Sequence, residues 1–144
     1  MQIQFRLISL PSSEYDQSLE LRDRVLRIPL GLSLFDEDLE QEKQHIHIAG
    51  FDNDTLIAIL ILQQEPPKAK MRQVAVEEKY QGKGIGKELV HFAEKWLQKN
   101  EYTEVYCNAR DVALPFYESL DYEVEGNPFT EVGIIHYRMK KKLI

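Results

Sequence analysis

The chain lacks several features that would mark other protein classes. It holds one cysteine in 144 residues, so no disulfide can form within it, which suits a reducing cytoplasm. No apolar run is long enough to span a bilayer, and the first residues do not follow the pattern of a secretory signal, so neither membrane insertion nor export is expected. Internal repeats, linkers and low-complexity tracts are missing too, and the reading is one domain over residues 1–144. Basic charge is in deficit. The formal net charge of −6 argues against nucleic acid as a partner, and it suits a cationic amine. Metal ligands are sparse: His45 and His47 share one face of an expected strand but have no third ligand at suitable spacing. No metal is expected, and both histidines read as sheet-surface or substrate-side residues. What is present is a hydrophobic content of 43%, enough for a proper core.

Glycine is also scarce, yet three of the seven fall at positions 82, 84 and 86. There an apolar strand, Met71 to Val76, runs into a glycine turn that opens directly into an amphipathic helix. Glycine lets the backbone bend sharply and approach a ligand with no Cβ in the way. The first N–H groups of a helix have no intrahelical partner, and the helix dipole favours negative charge at that end. The combination makes an anion site suited to phosphate or pyrophosphate, with Lys83 and Lys87 adding positive charge.

Spacing narrows the ligand. A P-loop aligned on Gly86-Lys87 puts Gln81 where its first glycine belongs and Glu88 where its hydroxyl belongs. A dinucleotide fingerprint fails from Gly82, which ends on Lys87, and from Gly84, which ends on Leu89. The pattern that fits is Gln81-x-x-Gly84-x-Gly86, which resembles the Gln/Arg-x-x-Gly-x-Gly/Ala signature of the GNAT N-acetyltransferase family. Asn108, followed by the helical segment Ala113–Tyr122 with Phe116 and Tyr117, resembles the second block of that family. Its usual glycine exit is replaced here by Asp121, which tolerates the left-handed turn. The tail, from Phe129 through Glu131, Gly133 and His136 to Met139, looks like the ending of a bacterial subgroup of the ElaA and YjcF types. The resemblance covers roughly residues 55–140.

The resemblance implies an α/β (α+β) acyl-CoA N-acyltransferase fold: a mixed, mostly antiparallel sheet of about seven strands flanked by about four helices. The strands before and after the main helix would splay to admit the cosubstrate. It implies acetyl-CoA bound at Gln81, Gly82, Lys83, Gly84, Ile85, Gly86 and Lys87, with its amide arm against the main chain of Gln73, Val74, Ala75 and Val76 and beside Asn108 and Phe116. Tyr117 matches the residue that assists the departing sulfur, a phenol of pKa near 10 serving a thiol of pKa near 8.5. His136 is the candidate general base, with Glu131 as base or orienting partner; a structural histidine is the competing role. Cys107 reads as a core side chain, so a covalent acetyl-cysteine is disfavoured. The expected acceptor is a primary amine on a small molecule, with a peptide or protein lysine as the other possibility, and the chain would act as a monomer or homodimer. A non-catalytic acyl-CoA-binding sensor is the alternative reading. The presence of Tyr117 favours the enzyme.

Elsewhere, residues 2–9 alternate as a first strand, and Ser12 or Ser13 caps a helix that ends before Pro29 and Gly31. Arg22 and Arg27 lie on that helix, as acceptor-side residues or solvated charges. Residues 36–43 read as a solvated helix or loop. Gln44–Phe51 and Thr55–Gln63 form a hairpin about Asp52-Asn53-Asp54, the second strand buried on both faces. Asn100 is the expected left-handed cap of the main helix and Asp111 an N-cap for the next.

Overall fold

The structure, a computed structural model, describes residues 2–144. Among these residues the chain forms eight strands and three α-helices, in the order β1 (Ile3–Leu7), α1 (Ser13–Arg22), β2 (Ile46–Asp52), β3 (Thr55–Glu65), β4 (Lys68–Val76), α2 (Ile85–Lys99), β5 (Glu104–Arg110), α3 (Leu114–Glu118), β6 (Glu123–Val124), β7 (Phe129–Glu131) and β8 (Ile134–Lys142). They make one sheet of order β1-β2-β3-β4-β5-β8-β6, with β7 also paired to β8. Every pairing is antiparallel except that of β4 with β5. The expected class holds, with one strand more and one helix fewer than the resemblance implied. The missing helix is the segment after α1. Pro29 and a left-handed Gly31 (φ 73°) break it into a π-helical turn and short 3-10 turns, so no further α-helix forms before β2.

The main helix, α2, explains the larger core. Ile85, Leu89, Val90, Ala93 and Leu97 recur at helical spacing and are buried against Ala58, Leu60, Leu62, Ala69 and Met71 of the sheet. Each fully buried leucine contributes about 2 kcal/mol of transfer free energy. On the opposite face α1 covers a second cluster built on Leu21, Ala49, Phe51, Ile59 and Ala75. β3 lies between the two clusters, and its run from Leu56 to Leu62 is buried throughout, as its unbroken apolarity predicts.

Two features of β4 position the site. Beyond Lys68–Glu104, Ala69–Val105 and Lys70–Tyr106, β4 and β5 no longer pair, so the sheet opens between them. β4 also bulges against β3. Ile61 faces Arg72 and Ile59 faces Ala75, so Leu60 alone spans Gln73 and Val74. Gln73 there takes φ 57°, a left-handed conformation that costs a non-glycine residue about 1–2 kcal/mol.

A buried polar network lies behind the bulge. Arg22, 1% exposed, donates to both carboxylate oxygens of Glu42 at 2.6 and 2.8 Å and through Nε to Gln73 Oε1 at 3.3 Å. The Tyr15 hydroxyl donates to Glu42 Oε2 at 3.0 Å, and His47 Nε2 lies 2.7 Å from the Glu42 carbonyl. Several expectations are corrected here. Residues 36–43 are not uniformly solvated, because Glu42 is buried, and Arg22 is no surface charge. His47 is a core residue rather than a sheet-surface or substrate-side one. The left-handed position after α2 is Glu101 (φ 67°), whereas Asn100 keeps φ −102° and bonds Trp96 O through its amide. Asp111 caps only its own short turn, accepting from Val112 N–H, and α3 starts three residues later with Pro115 in its first turn. The Ser12 cap and the left-handed Asp121 (φ 71°) stand as expected.

Burial alone would raise the Glu42 pKa, but the hydrogen bonds and charge of Arg22 outweigh it and hold the carboxyl below its ordinary value. Burial also pushes His47 below the ordinary histidine value. Replacing Glu42 by Ala strands the Arg22 charge in the interior and is expected to cost about 3–5 kcal/mol, read by urea denaturation at pH 7. Both depressed groups add stability that is present above their unfolded pKa values and lost as the pH falls. The unfolding midpoint of the intact chain should therefore decline below about pH 6.5 and again below about pH 4.3. A midpoint flat from pH 7 to pH 4 contradicts this account.

Candidate functional site

The opening between β4 and β5 is one mouth of a cavity of about 790 Å³. Its walls come from β4, from β5 and the start of the next turn, from the segment after α1, and from the β7–β8 hairpin. Because side chains alternate across a strand, the cavity has two chemically distinct sides. Met71 and Cys107 point with Ala69, Val105 and Ala109 into the core under α2 and α3, where Tyr117 also sits. Lys70, Arg72, Asn108, Arg110 and His136 alternate with these residues and lie on the opposite face. Cross-strand register places Asn108 beside Arg138 and Arg110 beside His136.

At the α2 side the glycine turn takes the form its composition predicts. Gly82 and Gly84 have φ of 77° and 82°, and Gly84 is the N-cap of α2. Among the described residues no side chain caps this helix, and the turn closes with Glu88 N–H on Gly84 O at 3.1 Å. The N–H groups of Ile85, Gly86 and Lys87 therefore have no intrahelical partner. Gln81 ties the turn to the end of β4 by donating from Nε2 to the Val76 carbonyl at 2.8 Å. A Cβ on Gly86 would stand 3.3 Å from the Phe116 ring, so glycine there lets α3 pack against the first turn of α2. Phe116 meets Tyr117 edge-on at 5.0 Å, and Tyr117 meets Tyr122 at 5.5 Å.

Of the residues the sequence singled out, Gln73, Val74, Gln81, Asn108, Tyr117, Glu131 and His136 line this cavity. Ala75 lies in the core under α1, Val76 is half-buried, and Ile85 is buried with its side chain in the core under α2. Gly82, Lys83, Gly84 and Lys87 are exposed around the turn. Phe116 supports Gly86 from beneath.

Burial, with a smaller contribution from Cys107, raises the pKa of Tyr117 well above the ordinary tyrosine value, so its phenol stays neutral and available as a donor. Burial likewise pushes the Cys107 thiol up to about 12, against a smaller opposing pull from Lys70. That thiol is no nucleophile near neutral pH. His136 Nδ1 lies 2.9 Å from the Ile134 carbonyl, and its ring stacks on Phe129 at 5.7 Å. The carbonyl can only accept, so Nδ1 carries a proton, and in a neutral ring the lone pair lies on Nε2. The ring is thus oriented by Ile134. Glu131 pairs in register with Ile134 at the exposed end of β7 and is not the orienting partner.

Four charged wall residues escaped the sequence reading. Lys70, Arg72 and Arg110 were passed over, although alternation with Ala69, Met71 and Ala109 could have placed them on one face. Glu37 lay in a segment read only as charged; it pairs with Arg27 at 2.6 Å.

Comparisons with known proteins agree with this fold. Residues 31–143 match the sequence model of the family described as acetyltransferase (GNAT) domain. A Lactobacillus plantarum protein assigned as an N-acetyltransferase superposes with a TM-score of 0.88 at 24% identity over 100% of both chains. ElaA of Escherichia coli gives 0.84 at 21% identity, over 97% of this chain and 99% of its own. The PaiA N-acetyltransferase of Thermoplasma acidophilum, solved with coenzyme A, gives 0.79 at 20% over 99% of each. These likenesses show the fold. YyaT of Bacillus subtilis, an uncharacterized protein, is 28% identical over 75 residues, 52% of this chain and 51% of that protein, so the match spans about half of the curated relative. With the family sequence model matched over more than half its length, the chain belongs to the acetyltransferase (GNAT) domain family.

Proposed function

We propose that this chain transfers an acetyl group from acetyl-CoA to a primary amine by direct attack within a ternary complex, as one domain over residues 1–144. The observation that carries the reading is a single cavity running from Gln81 at an uncapped helix start, past the buried Tyr117, to His136 and Glu131 on the other side of the sheet. Acetyl-CoA would supply the activated acyl group as a thioester. The N–H groups of Ile85, Gly86 and Lys87 hold its diphosphate, with Gly82 and Gly84 shaping the turn and Lys83 and Lys87 adding charge. Gln73 to Val76 present main-chain groups to the gap where β5 has parted from β4, and these take the amide arm as an added strand would. Asn108 borders the same gap.

Tyr117 donates a hydrogen bond to the leaving sulfur. Its raised pKa makes full proton transfer to a thiolate of pKa near 8.5 unfavourable, so it stabilises negative charge without surrendering its proton. His136 Nε2, with its lone pair free, accepts the amine proton directly or through a water, and exposed Glu131 is the second candidate for that role. The single, buried Cys107 supports direct attack over an acetyl-cysteine and fits a cytoplasmic setting. Among the described residues no helix is long and apolar enough to cross a membrane. The Phe129–Met139 ending, with the fold likeness to ElaA, supports an ElaA-like subgroup.

A thiol-release assay with acetyl-CoA and a panel of amines tests the activity, with calorimetry for coenzyme A binding. Binding without turnover of any amine favours the sensor; failure to bind coenzyme A defeats both readings. Tyr117→Phe is expected to lower kcat about 10- to 100-fold with coenzyme A affinity unchanged, the loss of one hydrogen bond to a charged atom. Cys107→Ala should keep kcat within about threefold, and an acetylated cysteine in the wild type would overturn direct attack. Gly84→Val forces a branched side chain to φ 82° and is expected to weaken coenzyme A binding about tenfold or more, with a modest fall in Tm.

A further inference from the structure

The sheet face opposite α2 is cationic in a chain of net charge −6. Arg27, Lys70, Arg72 and Arg110 line the cavity there, against the carboxylates of Glu37 and Glu131 alone. Glu37 is already engaged by Arg27. Among the described residues Lys70, Arg72 and Arg110 form no salt bridge, and the side-chain hydrogen bond made by Arg110 goes to the Leu26 carbonyl at 3.2 Å. Next to Asn108, Arg138 lies over the Tyr106 ring at 4.0 Å with its buried Nε unpartnered among the described residues. Burial first, and Arg72 second, lower the pKa of Lys70, with Glu131 and Glu65 pulling weakly the other way. Burial and then Arg27 do the same to Arg110. These cations repel one another in a half-buried wall, and among the described residues Lys70, Arg72 and Arg110 have no carboxylate in ion-pair contact. The exposed apolar side chains of Leu30, Leu32, Val112 and Val132 rim the same mouth.

We propose that the acceptor is an amine that also carries an acid group, carboxylate or phosphate, seated on Lys70, Arg72 and Arg110, with its apolar body against that rim. An aromatic α-amino acid is the simplest such molecule. The inference rests on the acetyltransferase reading and names its substrate class. The three cations stand on the face away from the glycine turn, so the diphosphate held at residues 81–87 does not neutralise them. Holding the acid group orients the amine for attack: the N–C bond forms, the C–S bond breaks, the sulfur leaves with coenzyme A and the amine proton passes to the base.

The test uses matched acceptors that differ only in the anion, phenylalanine against phenylalaninamide and O-phosphoethanolamine against ethanolamine, in the thiol-release assay. The acid-bearing member of at least one pair is expected to have kcat/KM about 10- to 100-fold higher, and the pair that discriminates tells carboxylate from phosphate. Arg72→Gln should abolish most of that preference through KM of the acid-bearing acceptor, with coenzyme A affinity and Tm unchanged; Lys70→Gln serves if Arg72→Gln fails to fold. Equal or inverted rates in both pairs overturn the inference and leave the acetyltransferase standing. Turnover of neither pair by a chain that binds coenzyme A also overturns the inference, as does a preference that persists in both variants. A chain that binds no coenzyme A instead defeats the underlying reading.

Discussion

β4 and β5 share a ladder only at Lys68–Lys70 and Glu104–Tyr106, and past that point two parallel strands leave their facing N–H and C=O groups without each other. Unpaired main-chain groups are costly unless water or a ligand meets them. The gap can therefore stay open only if both strands are held apart by what packs on them. α2 and α3 brace one face and α1 the other, and the glycine turn has to cross the mouth of the gap to begin α2. The cavity, with Gln81 and Tyr117 in its wall, follows from that parting of strands.

The bulge in β4 is a second consequence. An extra residue in one strand reverses the side-chain alternation beyond it, which carries Ala75 into the core under α1 while Met71 stays in the core under α2. The left-handed Gln73 that permits this is tethered by Arg22, whose charge is matched by Glu42. An ion pair so deeply buried is a weak source of net stability, because desolvation offsets most of its attraction. Its role here is geometric: it fixes α1, the turn before β2 and the bulge relative to one another.

Charge is distributed against the bulk composition. The surface is acidic overall, but the cavity face away from α2 gathers arginines and lysine from β4, β5 and the segment after α1. The acidity of the whole chain pointed towards a cationic ligand. Local charge decides what enters a half-buried wall, because solvent and salt screen the distant surface.

The sequence by itself determined the glycine turn, the apolar stripe of α2, the fully buried β3 and a serine cap at 12 or 13, because each depends on neighbours within a few residues, while the class of fold came through the family resemblance. It also brought forward Gln81, Asn108, Tyr117 and His136, which all reach the cavity. Only the tertiary structure decided that Glu42 and His47 are buried, that Glu101 rather than Asn100 turns left-handed, and that Ile134 rather than Glu131 orients His136. It alone brought Lys70, Arg72 and Arg110 together. Those outcomes depend on which strands lie side by side and where one ladder ends, and strand register is set by contacts between residues far apart in the chain.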